Sequence, residues 1–206
     1  MDADVMTSIA VLMTCHNRAN STLECLAHLF EQNALDRAAL SVYLVDDGSS
    51  DGTGELVRDR FPDVNVIDED GSLFWNRGMH RAFEGALKVG FDYYLWVNDD
   101  TYLYRDALLT LLRSHEALKA RGDARSIVVA STRDPDTREF TYGGYRNRRG
   151  AINRIGFRLT PPADRLISCD AMCGNCVLIP DAVADIVGNI APEYRHKWGD
   201  VDYGMR

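Results

Sequence analysis

The chain has 206 residues, 46% of them hydrophobic and 26% charged, which suits one soluble domain with a sizeable buried core. With 23 Lys and Arg against 31 Asp and Glu the formal net charge is −8, so no cationic field exists to hold a nucleic-acid backbone or an anionic bilayer. The longest apolar runs, such as Ile127-Val128-Val129-Ala130, are too short to cross a membrane.

The opening residues Met1-Asp2-Ala3-Asp4 are acidic where a secretory signal is basic, so no export is expected. Five cysteines, an odd number, fit reduced thiols in a cytoplasmic protein better than a disulfide framework.

Residues 9–13 (IAVLM) form an apolar run without alternation, as a strand buried on both faces requires, and it stops at Thr14-Cys15-His16-Asn17-Arg18. A helix is predicted from Ser21, which has capping-box spacing to Glu24, with Leu23, Leu26, Leu29 and Phe30 on one side. Residues 42–45 are a second strand, ending in Asp46-Asp47-Gly48-Ser49-Ser50-Asp51-Gly52-Thr53. A helix through Leu56, Val57 and Phe61 follows, then a strand at 64–67. After Phe74-Trp75-Asn76-Arg77-Gly78 comes a helix whose Met79, Ala82, Phe83, Ala86 and Leu87 share one face.

Residues 93–97 are a strand running straight into Asn98-Asp99-Asp100-Thr101. Residues 106–119 read as helix and 127–130 as strand. From 132 to 164 the rhythm breaks into a polar, Arg-rich stretch with the Gly143-Gly144 pair, read as an inserted hairpin or long loop. A strand returns at 176–179, followed by a helix through Val183, Ile186 and Val187. The alternation predicts an α/β protein with a mainly parallel sheet and crossover helices.

Ligands of open α/β sheets bind beyond the carboxyl ends of the strands. Residues 14–18, 46–51 and 98–100 each follow a buried strand directly. Any one of them is competent turn chemistry, but three at one sheet edge point to a ligand. Asp99 and Asp100 repel each other unless something positive stands beside them. A hard divalent cation shared with substrate phosphates is the usual solution, so a metal–diphosphate site is inferred.

Val45-Asp46-Asp47-Gly48-Ser49-Ser50-Asp51-Gly52-Thr53 followed by Asn98-Asp99-Asp100 resembles the inverting glycosyltransferases of family 2, which have the GT-A, Rossmann-like fold. The resemblance extends to Met13-Thr14-Cys15-His16-Asn17-Arg18 and to Trp198-Gly199-Asp200-Val201-Asp202-Tyr203, in the family's order and over nearly the whole chain. It implies a single domain, with a nucleotide-binding part over about 1–101 and an acceptor part over about 102–206.

The resemblance also implies roles. Thr14, His16, Arg18, Asn76, Arg77, Asn98 and Asp99 would meet the nucleotide-sugar, and Asp47 the base. Asp100, with Asp99, would bind Mn2+ or Mg2+; Asp200 would be the catalytic base; Gly174, Asn175, Trp198 and Asp202 would face the acceptor. The donor would be a UDP- or dTDP-sugar and the acceptor a glycan or lipid-linked glycan, at the inner face of the membrane without a transmembrane segment.

A carboxylate suits these tasks: it accepts an imide or hydroxyl hydrogen, while Arg18 can offset phosphate charge. Apolar cover from Trp198 and Tyr203 would make Asp200 a better base. There are departures. Trp75 stands where the family often has Arg, which leaves the diphosphate contact to Arg77 at a helix start that favours an anion. Family members usually continue beyond the position of Arg206, so a longer parent protein is expected.

Cys173-Gly174-Asn175-Cys176 has no second Cys or His pair to complete a zinc site, and buried thiols are the expectation for Cys169, Cys173 and Cys176. His196 could help bind phosphate or metal or be a solvated surface residue, and Arg146-Asn147-Arg148-Arg149 could meet an anionic lipid-linked acceptor or the membrane surface, the plainer reading being an exposed loop. A sugar-1-phosphate nucleotidyltransferase is the alternative enzyme, but Thr14 to Arg18 lacks the Gly-rich loop its chemistry favours. A nicotinamide dehydrogenase is disfavoured for want of G-x-G-x-x-G. A non-catalytic nucleotide-sugar-binding protein is the remaining alternative.

Overall fold

In the computed structural model, which describes residues 6–149 and 155–206, the apolar runs become strands and the amphipathic stretches lie over them as helices. The first half alternates β1 (Thr7–Cys15), α1 (Ala19–Phe30), β2 (Ala38–Asp47), α2 (Thr53–Arg60), β3 (Asn65–Glu69), α3 (Phe74–Val89), β4 (Tyr93–Val97) and α4 (Ala107–Lys119). Short strands follow: β5 (Val128–Val129), β6 (Thr132–Arg133), β7 (Phe140–Tyr142), β8 (Gly144–Arg149), β9 (Ile155–Leu159) and β10 (Ala171–Met172). The chain closes with β11 (Cys176–Pro180), α5 (Asp181–Val187) and α6 (Gly199–Met205).

The central sheet has the order β3-β2-β1-β4-β11-β5. β1, β2, β3 and β4 are parallel, and β11 runs antiparallel to both its neighbours. Successive residues of β1 point to opposite faces. Ile9, Val11 and Met13 enter a cluster with Leu26, Leu29 and Leu108, while Ala10 and Leu12 enter one with Met79, Phe83, Trp96 and Tyr203. Both faces of β1 are therefore dry, which is why its sequence does not alternate. α1, α2 and α4 cover one face, and α3, α5 and α6 the other.

This order contains a switch. From β1 the chain steps outward through β2 to β3, then returns over α3 to lay β4 on the other side of β1. The crevice where the two directions part lies beyond the carboxyl ends of β1 and β4, the place such a sheet leaves for a ligand.

Several boundaries differ from the sequence expectation. β1 and β2 run on through Thr14, Cys15, Asp46 and Asp47, so these polar residues end strands rather than begin loops. The capping box at Ser21 does not form: α1 starts at Ala19, whose N–H donates to the Asp51 carboxylate at 3.1 Å. A side chain from another loop replaces the local cap. α2 ends at Arg60, before Phe61, and Ile186 of α5 is exposed.

The inserted stretch folds as two antiparallel pieces, β8 paired with β9 and β10, and β6 paired with β7. The Arg146–Arg149 run is therefore strand, not loop: Arg146 Nε donates to the Ser168 carbonyl and the Asn147 N–H to Asp170. The acidic opening read at Met1 to Asp4 lies outside the described residues. Among the described residues no helix is long and apolar enough to cross a membrane.

Candidate functional site

β1, β2 and β4 deliver Cys15, Asp47 and Val97 to the same edge of the sheet. Just beyond it Asp99 is buried and Asp100 half exposed, and the Arg18 guanidinium lies at 2.5 Å from Asp100 and 3.4 Å from Asp99. The positive partner that two adjacent carboxylates demand is thus supplied by the residue in front of α1. Burial pushes the Asp99 carboxyl up to about 6, against the opposing pull of Arg18 and with some help from Asp100. Its Oδ2 is buried without a hydrogen-bond partner among the described residues.

Asp47 is largely employed by the protein. Its Oδ1 accepts from the N–H groups of Gly71 (3.0 Å) and Leu73 (3.2 Å), and Oδ2 from Phe74 (2.7 Å). With 3% of its surface exposed, one lone pair of Oδ2 is all it has left for a base. His16 donates Nδ1–H to the Asp47 carbonyl at 2.6 Å, which sets its tautomer. Thr14 is buried at the end of β1, packed under Gly78 of α3.

On the other side of the edge lies a cavity of about 590 Å³, within the size range of small-molecule pockets. Asn98, Gly174, Asn175, Trp198 and Asp200 all line it, so five of the sequence-predicted residues meet in one place. The wall is tied together by polar bonds. Trp75 Nε1–H donates to Asn98 Oδ1 at 2.8 Å, and the Asn98 N–H to the Asn175 carbonyl at 3.0 Å. Asp200 accepts from the N–H of Gly174 at 3.0 Å and of Val201 at 2.9 Å. Burial raises the Asp200 carboxyl above the usual range, and those two N–H groups partly oppose the shift.

Gly174 has a steric reason for its identity. A Cβ there would come within 2.6 Å of the Trp75 ring and 3.4 Å of Asp200, so only glycine lets the backbone run between them.

Asp47 and Asp100 do not themselves line this cavity. They reach it through bonded or adjacent neighbours, Asp47 through Phe74 to Trp75, and Asp100 through Asp99 to Asn98.

Five expectations are corrected. Asn76 has no exposed surface: its side chain donates to the carbonyls of Ala191 (2.7 Å) and Tyr194 (3.0 Å), clamping that segment rather than meeting a nucleotide. Arg77 Nε donates to the Pro192 carbonyl at 3.0 Å, so it too holds the same segment. The start of α3 is no free anion site, because the Phe74 N–H is bonded to Asp47 and the Asn76 N–H to the Arg195 carbonyl. Asp202 turns away to pair with Arg206 at 3.1 Å, and Tyr203 lies in the core beside Trp96 instead of covering Asp200.

Residue-level reading missed Tyr142, Tyr145, Phe157 and Cys173, which also line the cavity, and treated Trp75 only as a departure. The signal for three of them was aromatic residues placed in an otherwise Arg-rich stretch. All five cysteines are free thiols, and burial pushes Cys173 up to about 11, far from the thiolate a redox role needs.

No group of three His, Cys, Asp or Glu side chains among the described residues is arranged to hold a metal ion by itself. Asp99 and Asp100 nevertheless fit a hard cation that completes its shell with substrate phosphates, since one or two carboxylates then suffice. The unpartnered buried oxygen of Asp99 is consistent with such a donor set.

Residues 10–186 match the family model described as glycosyl transferase family 2. A curated relative, the poly-beta-1,6-N-acetyl-D-glucosamine synthase of Staphylococcus aureus, is 28% identical over 108 residues, which cover 52% of this chain but 25% of that protein. The chain thus matches about a quarter of the length of this relative.

Among solved structures, a mannosyltransferase of Pyrobaculum calidifontis in complex with GDP-Man and Mn2+ aligns over 97% of this chain and 50% of its own, with TM-score 0.59 and 18% identity. TarS 1-349 of S. aureus aligns over 97% and 54%, with TM-score 0.63 and 16% identity. A second TarS structure, in complex with UDP-GlcNAc, aligns over 65% and 36%, with TM-score 0.51 and 18% identity. These likenesses establish a GT-A-type fold. The chain belongs to glycosyl transferase family 2.

Proposed function

We propose that this family 2 chain transfers a sugar from a UDP- or dTDP-sugar to a hydroxyl of a glycan or lipid-linked acceptor, with inversion at the anomeric carbon and with Mn2+ or Mg2+ as cofactor. The observation that carries the proposal is the position of Asp200. A half-buried carboxylate whose pKa is raised by desolvation stands in the wall of a substrate-sized cavity that Asn98 also lines.

Inverting transfer is a direct displacement, so the acceptor hydroxyl needs a base on the face opposite the leaving nucleoside diphosphate. Asp200 takes that proton: each of its oxygens accepts one N–H bond and keeps a lone pair, and burial strengthens its basicity. The Gly174 and Val201 N–H groups fix its orientation. Asp99 and Asp100 would hold the cation, which when bound would neutralise charge on the leaving diphosphate.

Arg18, paired here with both carboxylates, would be free to meet phosphate once they held a cation. His16, Thr14 and the last lone pair of Asp47 border the nucleoside. Cytoplasmic work, at the membrane's inner face where a lipid-linked acceptor is used, fits the five free thiols. That the TarS and mannosyltransferase structures hold UDP-GlcNAc, and GDP-Man with Mn2+, supports the donor class and the cation.

A thermal-shift series with UDP, dTDP and GDP, each with and without Mn2+ or Mg2+, tests the reading. UDP or dTDP at a hundredfold excess over its dissociation constant is expected to raise the midpoint by about 5–10 °C, and only with the cation present. If no nucleotide moves the transition under either condition, the donor-site assignment falls.

A further inference from the structure

We infer that the inserted β8–β9 hairpin and the residue before α6 build an aromatic subsite for a pyranose ring, making Tyr145, Phe157 and Trp198 specificity determinants for a carbohydrate acceptor. The rings stand in succession: Tyr145 to Phe157 is 6.2 Å between centroids at 58°, and Phe157 to Trp198 is 6.4 Å at 47°. All three line the cavity that contains Asp200. Trp75, from α3, lines it too.

The placement is costly for the protein alone, which points to a ligand. Trp198 is 57% exposed, and its φ of 78° puts a bulky side chain in the left-handed region, which L residues with large side chains rarely adopt. Tyr145 and Phe157 are half-buried beside it, and aromatic surface left uncovered around a pocket marks a binding site rather than a core. The rings also adjoin the carboxylate's own neighbours: Trp198 lies two residues before Asp200, and Tyr145 packs by Cys173, next to the Gly174 whose N–H bonds Asp200.

A pyranose answers both features. Its C–H faces lie against aromatic faces, and its hydroxyls project from the rim toward the carboxylate and amide groups of Asp200, Asn98 and Asn175. An open-chain polyol phosphate offers no such flat face and brings a charge that the aromatic wall cannot use. The inference rests on the transferase reading for its word acceptor, but the subsite itself can be measured without donor or catalysis.

Saturation-transfer NMR on the whole chain, with cellobiose, chitobiose and ribitol 5-phosphate as probes, with and without UDP and Mn2+, is the test. At least one disaccharide is expected to bind, with saturation strongest on ring C–H protons. Phe157→Leu, which keeps apolar bulk, and Tyr145→Ala are each expected to weaken it roughly tenfold while the melting transition stays put.

The inference is overturned if neither disaccharide binds, if ribitol 5-phosphate binds in their place, or if folded Phe157→Leu binds saccharide as well as the parent. A saccharide that binds through these rings while UDP does not bind leaves the subsite standing and removes the nucleotide reading. The two failures are therefore separable.

Discussion

The amide oxygen of Asn76 fills the space in which a side chain on Gly199 would begin. These residues lie on α3 and at the first position of α6, and their contact fixes the segment that ends in Asp200. Asn76 reinforces it with its two side-chain bonds to the Ala191 and Tyr194 carbonyls.

Gly199→Ala is therefore expected to destabilise the protein by about 1–3 kcal/mol, because the neighbour is buried and cannot yield. The Gly199 backbone is not left-handed, so the effect is steric alone. Urea denaturation would measure it, and transfer activity should fall with it as Asp200 shifts. An unchanged midpoint would refute the clamp.

Asp200→Asn preserves shape and removes basicity. Transfer is expected to drop by about 10²–10⁴-fold with nucleotide binding retained, as judged by product formation beside the UDP thermal shift. Full activity in this variant would remove Asp200 from the base role and favour a protein that binds the donor without transferring it.

Asp99 provides a pH signature in the metal-free protein. Its folded pKa of about 6 lies above the unfolded carboxylate value, so the folded state holds its proton more tightly. The stabilisation is complete below about pH 4 and is lost as pH rises through 6. The stability of wild type minus that of Asp99→Asn should therefore fall by on the order of 2 kcal/mol between about pH 4 and pH 7. A difference that is flat across this window would contradict the burial assigned to Asp99.

Asp47→Ala strips acceptors from the N–H groups of Gly71, Leu73 and Phe74 together. A loss of about 2–3 kcal/mol is expected, since charge-assisted bonds to a buried carboxylate are among the stronger ones. Amide hydrogen exchange should accelerate at these three residues ahead of the rest of α3. Exchange unchanged there would show that the loop is held by something else.

How much of this was legible before the fold was known depends on the range of the interaction. Residues 93–97 were assigned as a strand to the residue, and β1, β2 and β11 to within a few positions, because strands dry on both faces must be apolar runs. The polar ends of β1, β2 and β4 pointed to the carboxyl edge as the candidate site, because ligands of open α/β sheets bind beyond that edge.

Composition and local pattern pointed to the architecture and the acidic edge, and the family resemblance added the carboxylate before Val201 as a candidate. What they could not decide was occupation. Whether Asp47 faces a ligand or Gly71, whether Asn76 binds a nucleotide or Ala191, and whether Phe157 joins Trp198 are questions about side chains that neighbour each other only after folding. Apolar periodicity is imposed by the nearest few residues and so is written locally. Hydrogen-bond partners and shared cavities are chosen by packing between distant segments, and only the tertiary structure makes that choice.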